Sequence, residues 1–458
     1  MSSKERDEIL LSEEYKPGEC NIIYKRHDQR QLILESERRK QSTSLVCNSM
    51  NVLKEIFLPR GFPNSVSKDY TEYQIWDTVQ AFCSTISNIL ATNAILKGVG
   101  IGDAQASALA ASITYILKDG AGMIGRITFA WLKGSELDTK CKKWRLRADA
   151  LNDLAIFIEL LLSIPWMRKF SLLILSFSSC AKSIVGVAGG ATRAALTQHQ
   201  AISENMADVS AKDGSQETCI NLIAFLIGLI ILPIVENHII LIWTIYFVVT
   251  TLHLFANYKA VKSLNINVFN SARFDLTLKY YLSNDSQNHD VQKPEFINKK
   301  ESCFLKDEKL SSFKIQLGTS VHDLLYTNAL TTWDIIDHIE LYKDYLYILI
   351  VDIHKDSIHV VLDKNINTEN ILKAYFHANI LGHLICPKNT FSLVKLNYLR
   401  SMKYTSNNTQ FCCTHSEYVQ LACDFVNKNF DKFLLHAKMS DWNITSHHLV
   451  VDEWRASW

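Results

Sequence analysis

Residues 219–256 carry the sequence CINLIAFLIGLIILPIV-ENH-IILIWTIYFVVTTLHLFA, and this stretch governs how the rest of the chain is interpreted. Neither apolar run, Cys219–Val235 or Ile239–Ala256, contains a formally charged residue. Because a helix rises about 1.5 Å per residue, each run extends about 26 Å, close to the roughly 30 Å hydrocarbon core of a bilayer. The sequence predicts a membrane-embedded helical hairpin with Glu236–His238 at its tip. The alternative is a pair of buried core helices in a large soluble protein.

The side chains of the hairpin indicate its surroundings. Trp243, Tyr246 and Phe247 are aromatic residues of the kind that is common at membrane interfaces. Asn221 and His253 are strongly polar, so in a bilayer each needs a partner in a neighbouring helix. We expect His253 to be a packing histidine with satisfied hydrogen bonds. An ion or proton relay is the functional alternative.

Positive charge near the hairpin predicts its orientation. The tip contains no Lys or Arg, whereas Lys259, Lys262 and Arg273 follow the second run. By the positive-inside rule, both ends of the hairpin face the cytosol and the tip is translocated. The first residues of the chain are acidic and lack the apolar core of a secretory signal. We expect a multi-pass or hairpin membrane protein with cytosolic N- and C-terminal regions, in an organelle that the sequence leaves open.

The composition excludes some functions. The formal net charge is +1, which gives no electrostatic basis for binding nucleic acid, so no nucleic-acid partner is expected. The 11 cysteines show no Cys-x-x-Cys spacing, which favours reduced thiols. Cys412-Cys413-x-His415 also lacks the usual spacing of metal ligands. The sequence therefore predicts no metal site.

Composition divides the chain into four segments. Residues 1–50 are expected to be mostly disordered, with a small β-hairpin within Asn21–Glu35. Residues 51–282 form a helical, membrane-associated core domain that contains the hairpin of residues 219–256. Residues 283–302 are a polar linker, and residues 303–458 form a C-terminal domain. The predicted fold class is mainly α, a membrane-associated helical bundle with a C-terminal soluble α+β domain.

Two further apolar regions precede the hairpin. Phe170–Ala191 is a third long apolar run, interrupted by Lys182, and it suits a spanning helix, a re-entrant segment or a core helix. Gly98 and Gly102 lie four residues apart, a pattern that lets helix backbones approach closely. A dinucleotide-binding loop requires a different glycine spacing and a preceding strand. We therefore predict close packing at a helix break.

The glycine-rich stretch from Lys118 to Arg126 is the first candidate ligand site. It places three glycines beside Lys118, Asp119 and Arg126, but it lacks the Lys-Ser/Thr ending of a phosphate-binding P-loop. We predict a basic bend at the membrane edge. Anion binding by Lys118 and Arg126 is the alternative.

A long amphipathic helix is predicted from Leu137 to Ile164, with a basic first half and an apolar second half. Such a helix suits an element that begins among lipid headgroups and continues into the bilayer. Asp149, Asn152 and Asp153 share one helix face because of their spacing. Two carboxylates on one face can form a cation or acid–base site. More often they pair with nearby arginines, which is the structural alternative.

The polar stretch Thr192–Thr218 is the strongest candidate for a functional site. It lies between apolar segments of membrane-spanning character and combines many kinds of polar side chain. Asp213-Gly214 predicts a turn, and Ser215 would cap the first hairpin helix. A solvated loop with an amphipathic helix is the structural alternative. The candidate binding residues in this stretch are Arg193, His199, Asn205, Asp208, Lys212, Asp213 and Gln216.

The C-terminal segment has the patterns of an α+β module. Tyr345–Ile353 and Ser357–Lys364 flank a short turn and predict a β-hairpin. Helices are predicted at Asn367–Leu384 and Ser416–Lys438, and the last 12 residues, HHLVVDEWRASW, predict a final strand. This segment shows neither an apolar span nor a catalytic triad. A binding or regulatory role is therefore the default expectation.

Several long blocks resemble the root UVB sensitive family. They are LPRGFPNSVSKDYTEYQIWDTVQAF, GVGIGD, LKDGAGMIGRITFAW, LDTKCKKWRLRADALND and GATRAALTQHQAISENMADVSAKDGSQET, and the resemblance runs from Leu58 to about Arg273. The tail is similar to the C-terminal domain of that family through Asp441-Trp442 and Trp454-Arg455. The resemblance implies a eukaryotic membrane-associated protein, linked in plants to ultraviolet-B responses, early seedling development and vitamin B6 homeostasis. It implies no reaction and no catalytic residues.

Three hypotheses for function follow from these patterns. The first is a non-catalytic membrane scaffold or small-molecule handling factor. The second is a small-molecule transporter, suggested by glycine-broken helices and by Lys182 within an apolar run. The third is an enzyme or chaperone for a phosphorylated cofactor, with Lys118, Arg126 and Arg193 as phosphate contacts. The expected partners are membrane lipid and a protein partner or homologous family member, and no particular cofactor is predicted.

Overall fold

The computed structural model describes residues 8–14, 20–28, 31–38, 52–100, 108–236, 238–283, 291–304, 306–326, 332–386 and 415–458. The described residues fall into two compact units, one within residues 1–68 and 200–219 and the other within residues 69–199 and 220–458. In chain order the elements are β1 (Glu8–Glu14), β2 (Cys20–Asp28), β3 (Gln31–Arg38), α1 (Tyr70–Gly98), α2 (Ala108–Lys133), α3 (Cys141–Leu160), α4 (Ser171–Gln200), α5 (Met206–Val235), α6 (Ile239–Ser263), β4 (Val268–Asn270), α7 (Ser271–Ser283), α8 (Pro294–Lys300), β5 (Lys314–Leu317), α9 (Val321–Tyr326), α10 (Thr332–Leu341), β6 (Tyr347–Asp352), β7 (Ser357–Leu362), α11 (Thr368–Ile385), α12 (His415–Met439) and β8 (Asn443–His448).

The first unit contains a three-stranded antiparallel sheet in the order β1-β2-β3. The paired strands β2 and β3 cover the residues where the sequence predicts a β-hairpin. β1 lies in the stretch that composition predicts to be mostly disordered, and the rest of residues 1–50 lies outside the described ranges. A short helix follows at residues 52–57, and Ser67 N donates a hydrogen bond to Gln200 O at 3.0 Å.

The structure is mainly helical, as the sequence predicts. Among the described residues, four helical segments are long and apolar enough to cross a bilayer: Tyr70–Gly98, Pro165–Gln200, Met206–Val235 and Ile239–Ser263. The third and fourth contain the two runs of the predicted hairpin, and the second contains the run that is interrupted by Lys182. Length and apolar composition therefore located three of these four helices from the sequence alone.

Helices α1, α3 and α6 pack around a shared apolar core. Leu90 and Ala94 of α1 meet Leu160 of α3 and Ile242 and Tyr246 of α6. At the end of α1, a Cβ atom on Gly98 would lie 2.8 Å from Leu162 Cδ1, so only glycine allows this approach. The predicted close packing at Gly98 is confirmed, whereas Gly102 lies outside the described residues.

The predicted bend between Lys118 and Arg126 is wrong. These residues lie inside the continuous helix α2. Its glycines serve helix packing: a Cβ atom on Gly122 would lie 2.7 Å from the hydroxyl of Ser179, and one on Gly125 would lie 2.5 Å from Cys180 Sγ. Small residues on α2 thus let α4 approach closely, which a sequence pattern cannot distinguish from a bend.

The turn predicted at Asp213-Gly214 is also wrong. Helix α5 begins at Met206 and runs through both residues. Ser215 does not cap a helix, because its hydroxyl donates to Ala211 O at 3.0 Å within α5. Gly costs only about 1 kcal/mol in a helix, so the flanking helix formers prevail. Most of the predicted polar loop is therefore the end of α4 and the start of α5.

The C-terminal part forms a three-stranded sheet in the order β5-β7-β6. β6 and β7 pair antiparallel, which confirms the predicted hairpin, and β5 joins β7 in parallel. The buried face of α11 packs against this sheet and against α12. The hydrophobic core also includes Phe269 and Phe274, which lie before the predicted linker, while residues 284–290 of that linker are outside the described ranges.

The end of the chain differs from the predicted final strand. The strand β8 lies earlier, at Asn443–His448, and pairs in parallel with β4. The last residues make isolated bridges instead, Val451 with Leu317 and Ala456 with Asp363. Trp442 stacks on Phe269 with ring centroids 4.1 Å apart, which fixes the start of β8 on the core.

Candidate functional site

A buried polar network joins helices α1, α3 and α6, which are otherwise apolar where they meet. His253 lies at its centre and is 1% exposed. Its Nδ1 is 2.8 Å from Asp153 Oδ2, and its Nε2 is 2.9 Å from Gln80 Nε2. His253 therefore has partners on both neighbouring helices, as its position in an apolar run requires.

Asp149 forms the second half of the same network. Its Oδ2 accepts hydrogen bonds from Gln80 Nε2 at 3.1 Å and from Asn257 Nδ2 at 2.5 Å. Arg145 Nε lies 3.9 Å from that oxygen, while Arg145 Nη2 is 2.8 Å from Asp77 Oδ1. The network is thus a set of charges and amides distributed over three helices.

Helical periodicity explains how each helix presents its share of the network. Asp149 and Asp153 are four residues apart on α3, and His253 and Asn257 are four apart on α6. Residues at this spacing lie on one helix face. The sequence therefore places the two carboxylates together, but it gives no indication that Gln80, 173 residues before His253, completes the network.

The electrostatics of the network are unbalanced. Among the described residues that contact Asp149 and Asp153, Arg145 is the group with a permanent positive charge, and it also pairs with Asp77. Burial raises the pKa of Asp149, although Arg145 and His253 oppose that rise. Asp153 Oδ1 is buried without a hydrogen-bond partner. The site thus contains an open acceptor and an excess of carboxylate.

Three of the predicted residues in the polar stretch hold the chain near residues 55–60. Asp208 accepts from Arg60 N at 2.6 Å, Lys212 Nζ donates to Glu55 O, and Gln216 Nε2 donates to Phe57 O, the last two at 2.5 Å. These residues belong to one face of α5. Their contacts satisfy backbone groups, which is a structural role.

The other predicted residues of that stretch lie on α4, on α5 and in the connection between them. His199 Nε2 pairs with Asp69 Oδ2 at 2.9 Å, and Asp69 also accepts from Asn265 N at 2.6 Å. Asn205 Oδ1 accepts from Ser203 N at 3.3 Å in the α4–α5 connection. Asp213 is buried on α5, and Arg193 is half-buried on α4. A single site formed by the seven residues stays a prediction.

The charged residues of α2 lie along one continuous helix. Lys118 Nζ contacts Asp119 Oδ1 at 3.3 Å and lies 5.0 Å from the centre of the Tyr115 ring. Arg126 is exposed two turns further along the helix. Eight residues of helix separate their backbones by about 12 Å. The anion site predicted for Lys118 and Arg126 stays a prediction.

A second ion pair lies inside the apolar helices. Glu159 of α3 pairs with Lys182 of α4 at 2.7 Å and accepts from the Ser178 hydroxyl at 2.6 Å. Lys182 also reaches Asn88 Oδ1 at 3.4 Å. The lysine that interrupts the third apolar run is thus neutralised by an acidic partner from the preceding helix.

A third charged cluster connects the basic start of α3 to residues beyond α6. Glu301 lies 3.3 Å from Lys142 Nζ and 3.2 Å from Arg273 Nη1, and all three side chains are buried. Lys142 Nζ also donates to Leu264 O at 2.8 Å and to Asn298 Oδ1 at 2.6 Å. Burial raises the pKa of Glu301, but Arg273 and Lys142 outweigh it and lower the pKa to about 2.

The C-terminal core contains a further buried histidine. His377 Nδ1 is 3.1 Å from the Tyr347 hydroxyl, and its Nε2 is 3.8 Å from Cys423 Sγ. Burial lowers the pKa of His377 to about 3, so the ring is neutral. No group of three or more His, Cys, Asp or Glu side chains suits a metal ion in the part of the chain that the structure describes. Cys412 and Cys413 lie outside that part.

Two family models together cover most of the chain. The family described as the vitamin B6 photo-protection and homoeostasis domain matches residues 44–285, and the C-terminal family of root UVB sensitive proteins matches residues 290–458. No solved structure matches the chain.

Curated relatives agree with these matches. RUS family member 1 of Dictyostelium discoideum is 44% identical over 273 residues, which cover 59% of this chain and 50% of that protein. Protein root UVB sensitive 3 of Arabidopsis thaliana is 30% identical over 413 residues, covering 88% of this chain and 86% of that protein. Protein root UVB sensitive 5 of the same plant is 26% identical over 417 residues, covering 88% of this chain and 75% of that protein. The chain thus spans about half the length of the first relative and most of the length of the other two.

Proposed function

Because this chain belongs to the root UVB sensitive family, we propose that it is a membrane-spanning, non-catalytic scaffold or small-molecule handling factor that acts in vitamin B6 homoeostasis. In this proposal, helices α1, α4, α5 and α6 cross the bilayer. The C-terminal part forms a soluble α+β domain that presents a surface to a protein partner.

The inverted distribution of polar and apolar side chains carries the proposal. Leu229 of α5 is 68% exposed and Ile240 of α6 is 80% exposed, whereas Asp153 and His253 are buried. A soluble protein rarely exposes so much continuous apolar surface. A membrane protein exposes it to lipid and turns its ionisable groups inward, where they pair. The distribution in these helices, with apolar side chains outside and ionisable side chains inside, supports a membrane protein.

The positions of the basic residues support the proposed orientation. Lys142 Nζ donates to Leu264 O just beyond α6, so the basic start of α3 and the end of α6 lie at one end of the helices. Lys97 Nζ donates to Glu236 O at the hairpin tip, at the opposite end. The first end carries Lys140, Lys142, Lys143, Arg145, Arg147, Lys259 and Lys262. The tip end carries fewer, so we place the first end in the cytosol.

A scaffold suits the described contacts better than a reaction centre does. The candidate ligand residues Asp208, Lys212 and Gln216 bind backbone groups of residues 55–60. Side chains that are engaged in this way stabilise a local structure and are less available to a ligand. The enzyme or chaperone hypothesis, with Lys118, Arg126 and Arg193 as phosphate contacts, has weaker support because Lys118 and Arg126 are two turns apart on α2.

A transporter is the second candidate function. The observation that favours it is the Glu159–Lys182 pair, an ionisable pair within helices that could span the membrane. Such pairs frequently mark substrate or ion pathways. Flux of pyridoxal or pyridoxal phosphate into proteoliposomes would favour transport, whereas saturable binding without flux would favour handling.

Carbonate extraction and protease protection test the membrane proposal. We expect the full chain to remain in the pellet, with a tag on the C-terminus exposed to protease and a tag in the Glu236–His238 tip protected. Leu229→Asp should lower membrane insertion, because a carboxylate at mid-helix costs about 3 kcal/mol. Leu435→Asp is the matched control: Leu435 is also exposed, but it lies on α12 of the proposed soluble domain. Release of the unchanged chain and of both variants into the soluble fraction to the same extent would refute the proposal.

Vitamer binding tests the handling role separately. The purified chain in detergent should bind pyridoxal or pyridoxal phosphate in a saturable manner that Lys-rich control proteins do not reproduce. If the chain inserts in the membrane but binds no vitamer and captures no partner, the membrane proposal stands and the handling role is refuted.

A further inference from the structure

The side-chain amide of Gln80 lies between the His253 ring and the Asp149 carboxylate. Gln80 Nε2 is 2.9 Å from His253 Nε2 and 3.1 Å from Asp149 Oδ2. An amide nitrogen carries two hydrogens and accepts no hydrogen bond, so here it donates to both groups. His253 Nε2 must then be unprotonated. The ring proton lies on Nδ1, which donates to Asp153 Oδ2 at 2.8 Å.

This arrangement leaves negative charge in the apolar interior. With Nε2 unprotonated and the ring proton on Nδ1, His253 carries no charge and offers neither Asp149 nor Asp153 a counter-charge. Arg145 is the permanently charged cation among the described groups that contact them, at 3.9 Å from Asp149. A buried charge is strongly unfavourable unless it is paired. The surroundings therefore favour uptake of positive charge at this point.

Half a turn of the Gln80 amide creates the complementary arrangement. The amide oxygen then takes the place of the nitrogen and faces His253 Nε2 and Asp149 Oδ2. An oxygen accepts hydrogen bonds, so both facing atoms must carry a proton. His253 becomes an imidazolium that pairs with Asp153, and Asp149 becomes a neutral acid. Two protons have entered, and no other atom has been gained or lost.

We propose that Gln80, Asp149 and His253 form a binding site for two protons, which the rotation of the Gln80 amide takes up and releases together. A proton on His253 Nε2 alone would leave a donor facing the amide nitrogen, and the rotated amide with a single proton bound would leave its oxygen facing an unprotonated acceptor. The two-proton state also removes the excess negative charge from the interior. The site is thus a two-state element whose ligand is the proton.

The groups around the site support this assignment. Asp77 and Cys83 face it from α1, Arg145 from α3, and Tyr246 from α6. Tyr246 donates to Asp153 O at 2.8 Å and so holds α6 against α3 independently of the protons. Asn257 donates to Asp149 Oδ2, an oxygen that can accept this bond in either state. Asp153 Oδ1, buried and without a partner, is an additional acceptor next to the imidazolium.

This inference goes beyond the proposed scaffold role, and it does not depend on vitamer binding. A proton site among membrane helices would allow the protein to respond to pH, and it is a prerequisite for proton-coupled transport. Failure of the vitamer and protease experiments would leave the proton site unaffected, because the network lies entirely within the described helices α1, α3 and α6.

Infrared difference spectroscopy of the full chain in detergent, combined with nuclear magnetic resonance of histidine labelled at the ring nitrogens, tests the proposal. On acidification, we expect the imidazolium signal of His253 and the protonated carboxyl band of Asp149 to appear in one transition that takes up two protons. Asp149→Asn should abolish the carboxyl band and reduce the uptake from two protons to one. His322→Gln, which alters an exposed histidine, is the control and should leave the transition unchanged.

Gln80→Met is the decisive variant, because it keeps the side-chain length and removes the amide. We expect the single two-proton transition to separate into two one-proton transitions at different pH. If this variant does not fold, the steepness of proton uptake against pH in the unchanged chain shows whether the two protons bind together or independently. Independent protonation of His253 and Asp149 in the unchanged chain, or a cooperative transition that survives Gln80→Met, would overturn the proposal.

Discussion

Replacing Glu301 with Gln removes the negative charge from the cluster of Lys142, Glu301 and Arg273. Glu301 is 3% exposed, and its carboxylate lies 3.2 Å from Arg273 Nη1 and 3.3 Å from Lys142 Nζ. An amide keeps the shape of the side chain but cannot neutralise either cation. Glu301→Gln therefore leaves two buried positive charges without a counter-charge, which is strongly destabilising.

The expected loss of stability can be worked out in two ways. The partners lower the pKa of Glu301 from 4.5 to about 2, which corresponds to about 3 kcal/mol. Breaking a buried pair by removing one partner costs about 3–5 kcal/mol in other proteins. We therefore expect a loss of about 3 kcal/mol, or a decrease in Tm of about 4 °C for the unit formed by residues 69–199 and 220–458.

The pH dependence has a definite sign. Because folding lowers the pKa of Glu301, its contribution to stability is present above pH 4.5 and decreases as the pH falls towards 2. The difference in stability between the unchanged chain and Glu301→Gln should therefore be largest at neutral pH and smaller in acid.

Thermal unfolding, followed by intrinsic fluorescence in detergent, measures the effect. Glu295→Gln is the matched control, because Glu295 makes a 2.7 Å pair with Lys299 in which both side chains are more than 60% exposed. An exposed pair of this kind contributes at most about 1 kcal/mol. Equal Tm values for Glu301→Gln and Glu295→Gln, or a difference between them that does not depend on pH, would refute the reasoning.

Three further predictions concern other parts of the chain. Gly125→Leu should lower thermal stability by about 1–3 kcal/mol because the new side chain would meet Cys180 of α4. Gly120→Leu is the control and should not lower it, because Gly120 has open space around it. Differential scanning calorimetry compares the two variants. Burial raises the pKa of Asp275 from 3.8 to about 7. Its contribution to stability is therefore present below pH 3.8 and is lost as the pH rises through 7. In thermal unfolding scans at a series of pH values, Asp275→Asn should show a flatter dependence of stability on pH between about pH 4 and 7. Gln216→Leu removes the hydrogen bond to Phe57 O and should accelerate limited trypsin cleavage within residues 52–60; an unchanged cleavage rate would show that this contact does not hold the segment.

Simple sequence patterns predicted much of the helical architecture. The two runs of residues 219–256 lie in α5 and α6 because about 17 uncharged and mostly apolar residues in succession have few alternatives to a helix that is buried or in lipid. The β6–β7 hairpin was equally predictable from two apolar runs that flank a short polar turn. In both cases the information lies within a few neighbouring residues.

The wrong predictions of a bend and of a turn both rest on glycine. Gly122, Gly125 and Gly214 suggested a bend and a turn, yet all three lie inside helices. Glycine permits a turn, and it equally permits a neighbouring helix to approach closely. At Gly122 and Gly125 the choice between these two outcomes depends on whether a second helix is present at that position, which the local sequence does not contain, whereas Gly214 has open space around it.

The candidate site was predictable only in part. The spacing of Asp149 and Asp153 placed two carboxylates on one face of α3, and the apolar surroundings of His253 indicated that it needed a partner. That these residues are partners of one another, and that Gln80 lies between His253 and Asp149, required the packing of α1, α3 and α6. The polar stretch at residues 192–218 had the richer composition, but several of its side chains bind nearby backbone.

The sequence by itself determined the two helices of the hairpin, the third apolar helix and the family that the chain resembles, because hydrophobic run length and long motif blocks are properties of consecutive residues. The tertiary structure alone decided which polar groups meet. Hydrogen bonds and ion pairs form between atoms about 3 Å apart, and the residues that carry them are separated by up to 196 positions in the chain. The charge of the network, and the proton site that we infer from it, are therefore properties of the packed helices.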